Sequence, residues 1–176
     1  MEKAKEEHQN MISKIISGGQ TGVDRAALDI AIELGIPHGV WVPNGRKTDA
    51  GRLPAKYQLR EMPTDSYPER TEQNVLDSDG TLIITHGALT GGSDCTRKMA
   101  EGHGKPWIHV DANRISIDAA VQLVRAWING SKIKVLNVAG PRASKDPKIY
   151  VATKRLLTVL INMMSLGNRE SQDAPG

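Results

Sequence analysis

The stretch Lys14-Ile-Ile-Ser-Gly-Gly-Gln-Thr-Gly-Val-Asp-Arg-Ala-Ala-Leu-Asp-Ile-Ala-Ile-Glu-Leu34 runs from a short apolar segment, through three glycines, into an amphipathic segment. That transition decides the fold class. Val23, Ala26, Ala27, Ile30, Ala31 and Leu34 recur at helical spacing and form one stripe, while Asp24, Arg25, Asp29 and Glu33 take the opposite face. Thr21 and Asp24 are spaced as N-cap and N3 of a capping box, so the helix is expected to begin inside the loop. Its free N–H groups then face whatever lies above Gly18, Gly19, Gln20, Thr21 and Gly22, and such an end favours an anion. The pattern is neither G-x-x-x-x-G-K-[S/T] nor G-x-G-x-x-G, so no named nucleotide fingerprint applies. The competing reading is a tight, capped strand-to-helix turn that binds nothing.

The same logic recurs at Thr81-Leu-Ile-Ile-Thr85, a β-branched run suited to a strand buried on both faces. It enters His86-Gly-Ala-Leu-Thr-Gly-Gly-Ser-Asp-Cys-Thr96, with Gly91, Gly92, Ser93 and Asp94 placed to open another helix. Two such loops in one chain are stronger evidence for an anion site than either alone. Further strands are expected at His38–Val42, Pro106–Val110 and Lys134–Val138. A polar helix is expected from Pro68 to about Asp79, another capped by Ser116, and a last one opened by Asp146-Pro147 and ended by Gly167. Between Pro43 and Pro63 the chain is broken and polar, and so long a loop is usually functional.

Strands alternating with helices predict an α/β protein, a three-layer doubly wound, Rossmann-like parallel sheet of about five strands. With strand order 2-1-3-4-5 the ligand crevice would fall between strands one and three, which carry the two glycine loops. A single domain over 12–167 is expected, with flexible tails at 1–11 and 168–176.

Composition narrows the function. The 176 residues carry a net charge of +3 with scattered cations, 3% aromatics and no Phe, which argues against a nucleic-acid stripe or base-stacking platform. No apolar run approaches the roughly 20 residues of a membrane span, and the first ten residues lack the apolar core of a signal peptide. Cytoplasmic location and no membrane partner are the expectations. The lone Cys95 excludes an internal disulfide, and the histidines show no zinc spacing.

Ser17-Gly-Gly-Gln-Thr-Gly-Val-Asp-Arg25, Pro43-Asn-Gly-Arg46, Leu89-Thr-Gly-Gly-Ser93 with Thr96, and Asn137-Val-Ala-Gly-Pro-Arg142 together resemble the molybdenum-cofactor carrier family, a Rossmann-like branch of the LOG, or lysine-decarboxylase-like, group. The resemblance spans about Ile15 to Met163. It implies a homo-oligomer that binds the molybdenum cofactor (molybdopterin), or a related small phosphorylated heterocycle, at the glycine loops, with molybdoenzymes as partners. It extends the candidate binding set to Asn44, Gly45, Arg46, Thr96 and Arg142. LOG hydrolases place a glutamate close after the loop threonine. Here Thr96 is followed by Arg97-Lys98-Met99 and the nearest glutamate is Glu101, so a carrier is expected rather than an enzyme. The alternative is a LOG-like hydrolase acting on a nucleotide or nucleotide-sugar, with Glu101, Asp94 or Asp24 as base.

Among single residues, Arg25 is the strongest anion candidate, because a cation in the first helical turn opposes the macrodipole unless an anion is near. Arg46 and Arg142 have the bidentate geometry that suits phosphate. His86 stands at the carboxyl end of a central strand, beside the expected site.

Overall fold

The computed structural model describes residues 11–39 and 41–172, with side chains followed to residue 167. β1 (Lys14–Ile16) passes through the first glycine loop into α1 (Val23–Glu33), which Leu34 and Gly35 end, Gly35 at φ 68. The expected second strand divides. β2 (His38–Gly39) stays in the main sheet, whereas β3 (Trp41–Val42) pairs with a later segment, and Val40 lies outside the described residues.

The long polar stretch is folded. A 3-10 turn at Asn44–Arg46 leads into the hairpin β4 (Lys47–Thr48) and β5 (Gly51–Arg52), then to β6 (Arg60–Glu61), which pairs in parallel with β3. A small apolar cluster of Leu28, Val42, Leu53 and Tyr57 roots it on α1.

α2 (Tyr67–Leu76) follows, with Ser66 as its N-cap accepting from Glu69 N. Then come β7 (Gly80–Thr85), α3 (Gly91–Gly102), β8 (Trp107–Asp111), α4 (Ile117–Gly130), β9 (Val135–Ala139) and α5 (Ile149–Gln172). α5 runs through Gly167, which therefore does not end the helix. The expected tails at 1–11 and 168–176 fall largely outside the described residues.

Five parallel strands form the main sheet in the order β2-β1-β9-β7-β8. The fold class is as read from the alternating pattern, but the strand order is not. The last strand inserts between the first and β7, with Ile15 opposite Leu136 and Leu82 opposite Val138. Numbered with β9 first, then β1, β2, β7 and β8, the same sheet reads 3-2-1-4-5, the first five strands of the ordinary Rossmann order. All six residues of β7 are buried, as a strand covered on both faces requires. α1, α4 and α5 pack together on one face and α2 with α3 on the other.

α5 carries a 19-residue stretch, Ile149–Gly167, of mean hydropathy 1.3, long and apolar enough to cross a membrane. Ile149, Leu156, Leu157 and Leu160 bury it in the core shared with α1 and α4, so its apolarity is accounted for as that of a core helix.

Candidate functional site

The carboxyl ends of β1, β9 and β7 open into one cleft of about 1030 Å³. Gly18 and Gln20 line it from the β1 loop, Gly91, Gly92 and Ser93 from the amino end of α3, and Gly140 to Arg142 from the β9 loop. The two glycine loops do share a cleft, although their strands are not neighbours. β9 lies between them, so its own loop completes the wall. The point where strand order reverses falls between β9 and β7 rather than beside β1.

The cleft is richer in cations than in anions. Arg70, Arg142, Lys145 and Lys148 line it against Asp24 and Asp146. Arg70 comes from α2 and lies flat on the Gly18 backbone, where any Cβ would collide with its Nη1 and Cζ. Nη1 donates to Asp24 Oδ2 at 3.3 Å, with both side chains nearly buried. Asp24 Oδ2 also accepts from Gln20 N at 3.2 Å. Gln20 in turn accepts with Oε1 from Thr21 N and Asp49 N, each at 2.9 Å. This leaves Gln20 Nε2 and Arg70 Nε buried, without hydrogen-bond partners among the described residues. Buried donors without acceptors are uncommon, and Arg25 Nε is a third among the described residues.

The capping box does not form. Gly22 is the N-cap of α1, Thr21 Oγ1 accepts from Ala143 N at 3.1 Å, and Asp24 turns inward to Arg70. Burial pushes the Asp24 carboxyl up against the opposing pull of Arg70. With a folded pKa above the unfolded one, Asp24 contributes stability that is full below the ordinary carboxylate range. That contribution is lost as pH rises through the raised value. Asp24→Asn is expected to flatten the fall of melting temperature from acid to neutral pH. Parallel profiles for variant and parent would assign that slope to other groups.

Several expected site residues lie elsewhere. Arg25 is one residue on from Asp24, about 100° round the helix, and its guanidinium stacks 5.1 Å from the Tyr57 ring centroid. Tyr57 donates to Asp29 Oδ1 at 2.6 Å, and burial pushes its hydroxyl up to about 12. Arg25 thus holds the long loop to α1 and does not line the cleft. Arg25→Ala should lower the melting temperature by a few degrees, for the loss of about 1 kcal/mol, and leave ligand affinity unchanged. A calorimetric titration showing weaker binding would return Arg25 to the site.

Arg46 is consumed by backbone carbonyls: Nε donates to Leu53 O, and Nη2 to Pro54 O and Tyr57 O, at 2.7–3.0 Å. It folds its own loop, and Asn44 and Gly45 in the same turn are exposed outside the cleft. Asp94 pairs with Arg97 and Lys98, and Glu101 with Arg97, so neither faces the cleft as a base. Gly19 packs on Val42 and Leu53, and Gly22 under Pro141 O, so both serve packing. Thr96 does line the cleft, donating to Gly92 O at 3.0 Å. Arg142 lines it too, held by Asp49 at 2.9 Å and stacked 5.2 Å from the Tyr67 ring. The hydrogen bond from Ser144, and then Arg142, hold the Asp49 carboxyl below the usual range.

Arg70 and Tyr67 were not singled out from the sequence, because α2 reads only as a polar capped helix. Among the described residues, no three His, Cys, Asp or Glu side chains gather as a metal would need.

A parallel sheet with glycine loops and a cationic cleft at its carboxyl edge defines a Rossmann-like protein. The chain belongs to the circularly permutated YpsA SLOG family, whose model matches residues 15–161. The permutation is visible in the sheet, since placing the β9–α5 unit first restores the ordinary order. A 1.45 Å crystal structure from Syntrophus aciditrophicus SB, named "Putative molybdenum carrier protein", is 60% identical with a TM-score of 0.85. The match covers 85% of this chain and 95% of that one. No curated protein matches. The resemblance read from the glycine motifs is borne out.

Proposed function

We propose that the protein carries molybdenum as a small phosphorylated ligand, a molybdopterin, held intact in the cleft. The observation that carries this is the cationic lining of the cleft, where Arg70, Arg142, Lys145 and Lys148 outnumber Asp24 and Asp146. A phosphate at the Gly18 corner would meet the Arg70 guanidinium, which Asp24 holds in place. The amino end of α3 and Arg142 would take further negative charge, while the Tyr67 ring is already covered by Arg142 and Lys47. The residues present therefore fit the phosphate of the group well, and its ring system through few contacts. The name of the similar crystal structure supports molybdenum as the cargo. By the same reading the protein is a homo-oligomer that delivers to molybdoenzymes.

The test is elemental and mass analysis of protein purified from a molybdenum-replete host, beside the Gly18→Ala variant, whose new Cβ displaces Arg70. Expected is molybdenum and a pterin in the parent and a large loss of both in the variant. Equal molybdenum in both proteins would remove the corner from the site. A released nucleotide without molybdenum would favour the nucleotide reading.

A further inference from the structure

Between β7 and β9, at the point where strand order reverses, a histidine meets an aspartate. His86 is the first residue past β7, and its Nδ1 lies 2.7 Å from Asp146 Oδ2. The other carboxylate oxygen accepts from Lys148 N at 3.0 Å. An ionised carboxylate only accepts, so Nδ1 carries the shared proton and a neutral ring keeps its lone pair on Nε2. Among the described residues no hydrogen bond reaches Nε2, and the imidazole lines the cleft beside Lys145, Lys148 and the amino end of α3.

Anion binding alone does not call for this pair. A carboxylate behind the ring offsets the positive charge that would attract a phosphate. The same carboxylate suits a ring that takes a proton from water and must bear the charge that results. The other carboxylates that the sequence offered as bases are committed, Asp94 and Glu101 to Arg97 and Asp24 to Arg70.

We infer that His86, oriented by Asp146, is the general base for hydrolysis of a phosphate monoester held in the cleft that it lines. The inference rests on the phosphate reading of the cleft. β1 and β7 are two strands apart, roughly 10 Å, so a phosphate at the Gln20–Arg70 corner is not the group that His86 reaches. The substrate class is therefore a small molecule with two anionic groups, one anchored at that corner and one phosphoryl group at His86. In the step, Nε2 takes a proton from water as the water oxygen bonds to phosphorus. The ester P–O bond breaks with its electron pair on the alcohol oxygen, which takes a proton from solvent on the far side, and His86 then returns its own proton to solvent. The products are inorganic phosphate and an alcohol, with no change in oxidation state.

The experiment offers the full chain nucleoside 3′,5′-bisphosphates and monophosphates, follows released phosphate, and measures binding of the same compounds by calorimetry. Phosphate release from a bisphosphate is expected. His86→Ala should slow it by about 10²–10⁴-fold, with affinity within about threefold and partial recovery on adding imidazole. Asp146 is the positioning residue: Asp146→Asn should slow release and shift the acid limb of the pH–rate profile, which a mere tie between loops would not move. Compounds that bind in an Arg70-dependent way but lose no phosphate would overturn the inference and leave the carrier reading standing. Release by His86→Ala as fast as by the parent would overturn it too. If no compound binds at millimolar concentration, the phosphate reading falls and this inference with it.

Discussion

Replacing Arg70 by alanine should lower the melting temperature by about 6–12 °C, for a loss of about 3 kcal/mol, and weaken binding of a phosphate-bearing ligand by about 10–100-fold. Both effects have one cause. Asp24 is 5% exposed and Arg70 Nη1 stands 3.3 Å from its carboxylate, so removing the cation strands a buried charge. The stranded carboxyl responds by holding a proton, which limits the cost at low pH. Its folded pKa, already raised by burial, moves further above the unfolded value, so the gap between variant and parent should widen as pH rises above the ordinary carboxylate range. Arg70→Lys keeps a charge but neither the flat contact on Gly18 nor the fork of donors, and should fall between the two. Melting curves over that rise in pH check the first effect and calorimetry the second. A variant that melts within one degree of the parent at every pH would show that the two side chains are not a buried couple.

The fold class was legible because helical and strand periods alternate without ambiguity: the stripe of α1 and the unbroken run Thr81–Thr85 each have one structural solution. The strand order was not. Nothing in the residues of β9 distinguishes a central from an edge strand, since Val135–Ala139 is apolar enough for either. Placing strands one and three side by side assumed that two loops must be neighbours to share a ligand. In the structure a third loop fills the space between them.

The candidate site divides along similar lines. Residues that expose backbone at a helix end, such as Gly91 and Gly92, are legible as lining the cleft because their signature is local. Residues whose place depends on long-range packing are not. Arg46 resembles a phosphate clamp until Leu53, Pro54 and Tyr57 present their carbonyls, and Arg25 until Tyr57 arrives beneath it. Arg70 leaves no local trace. Its only sequence counterpart is Gly18, 52 positions earlier, whose missing side chain makes room for it.

Gly22 is where such packing has the largest consequence for stability. Expected in the ligand cradle, it faces the β9 loop. Its backbone sits at φ 81 and ψ −127, a region open essentially to glycine alone. A Cβ there would run into Pro141 O and crowd Arg142 and Ala143. Pro141 O accepts from Val23 N at 3.3 Å, and Ala143 N donates to Thr21 Oγ1 at 3.1 Å, so the β1 and β9 loops are joined on both sides of this glycine. Gly22→Ala should therefore add backbone strain of about 1–3 kcal/mol and break at least one of the joining hydrogen bonds. The total is about 3–5 kcal/mol, a third or more of the stability of an ordinary domain. The melting temperature should fall by about 10 °C or more. Because the β9 loop carries Arg142 and leads to Asp146, the variant should also loosen that wall of the cleft while leaving the Asp24–Arg70 couple in place. Hydrogen exchange would read this as faster opening at Ala143–Asp146 with little change at Gln20. A stable Gly22→Ala protein with weakened ligand binding would reverse the assignment, making Gly22 a residue of the cradle rather than the joint between the loops.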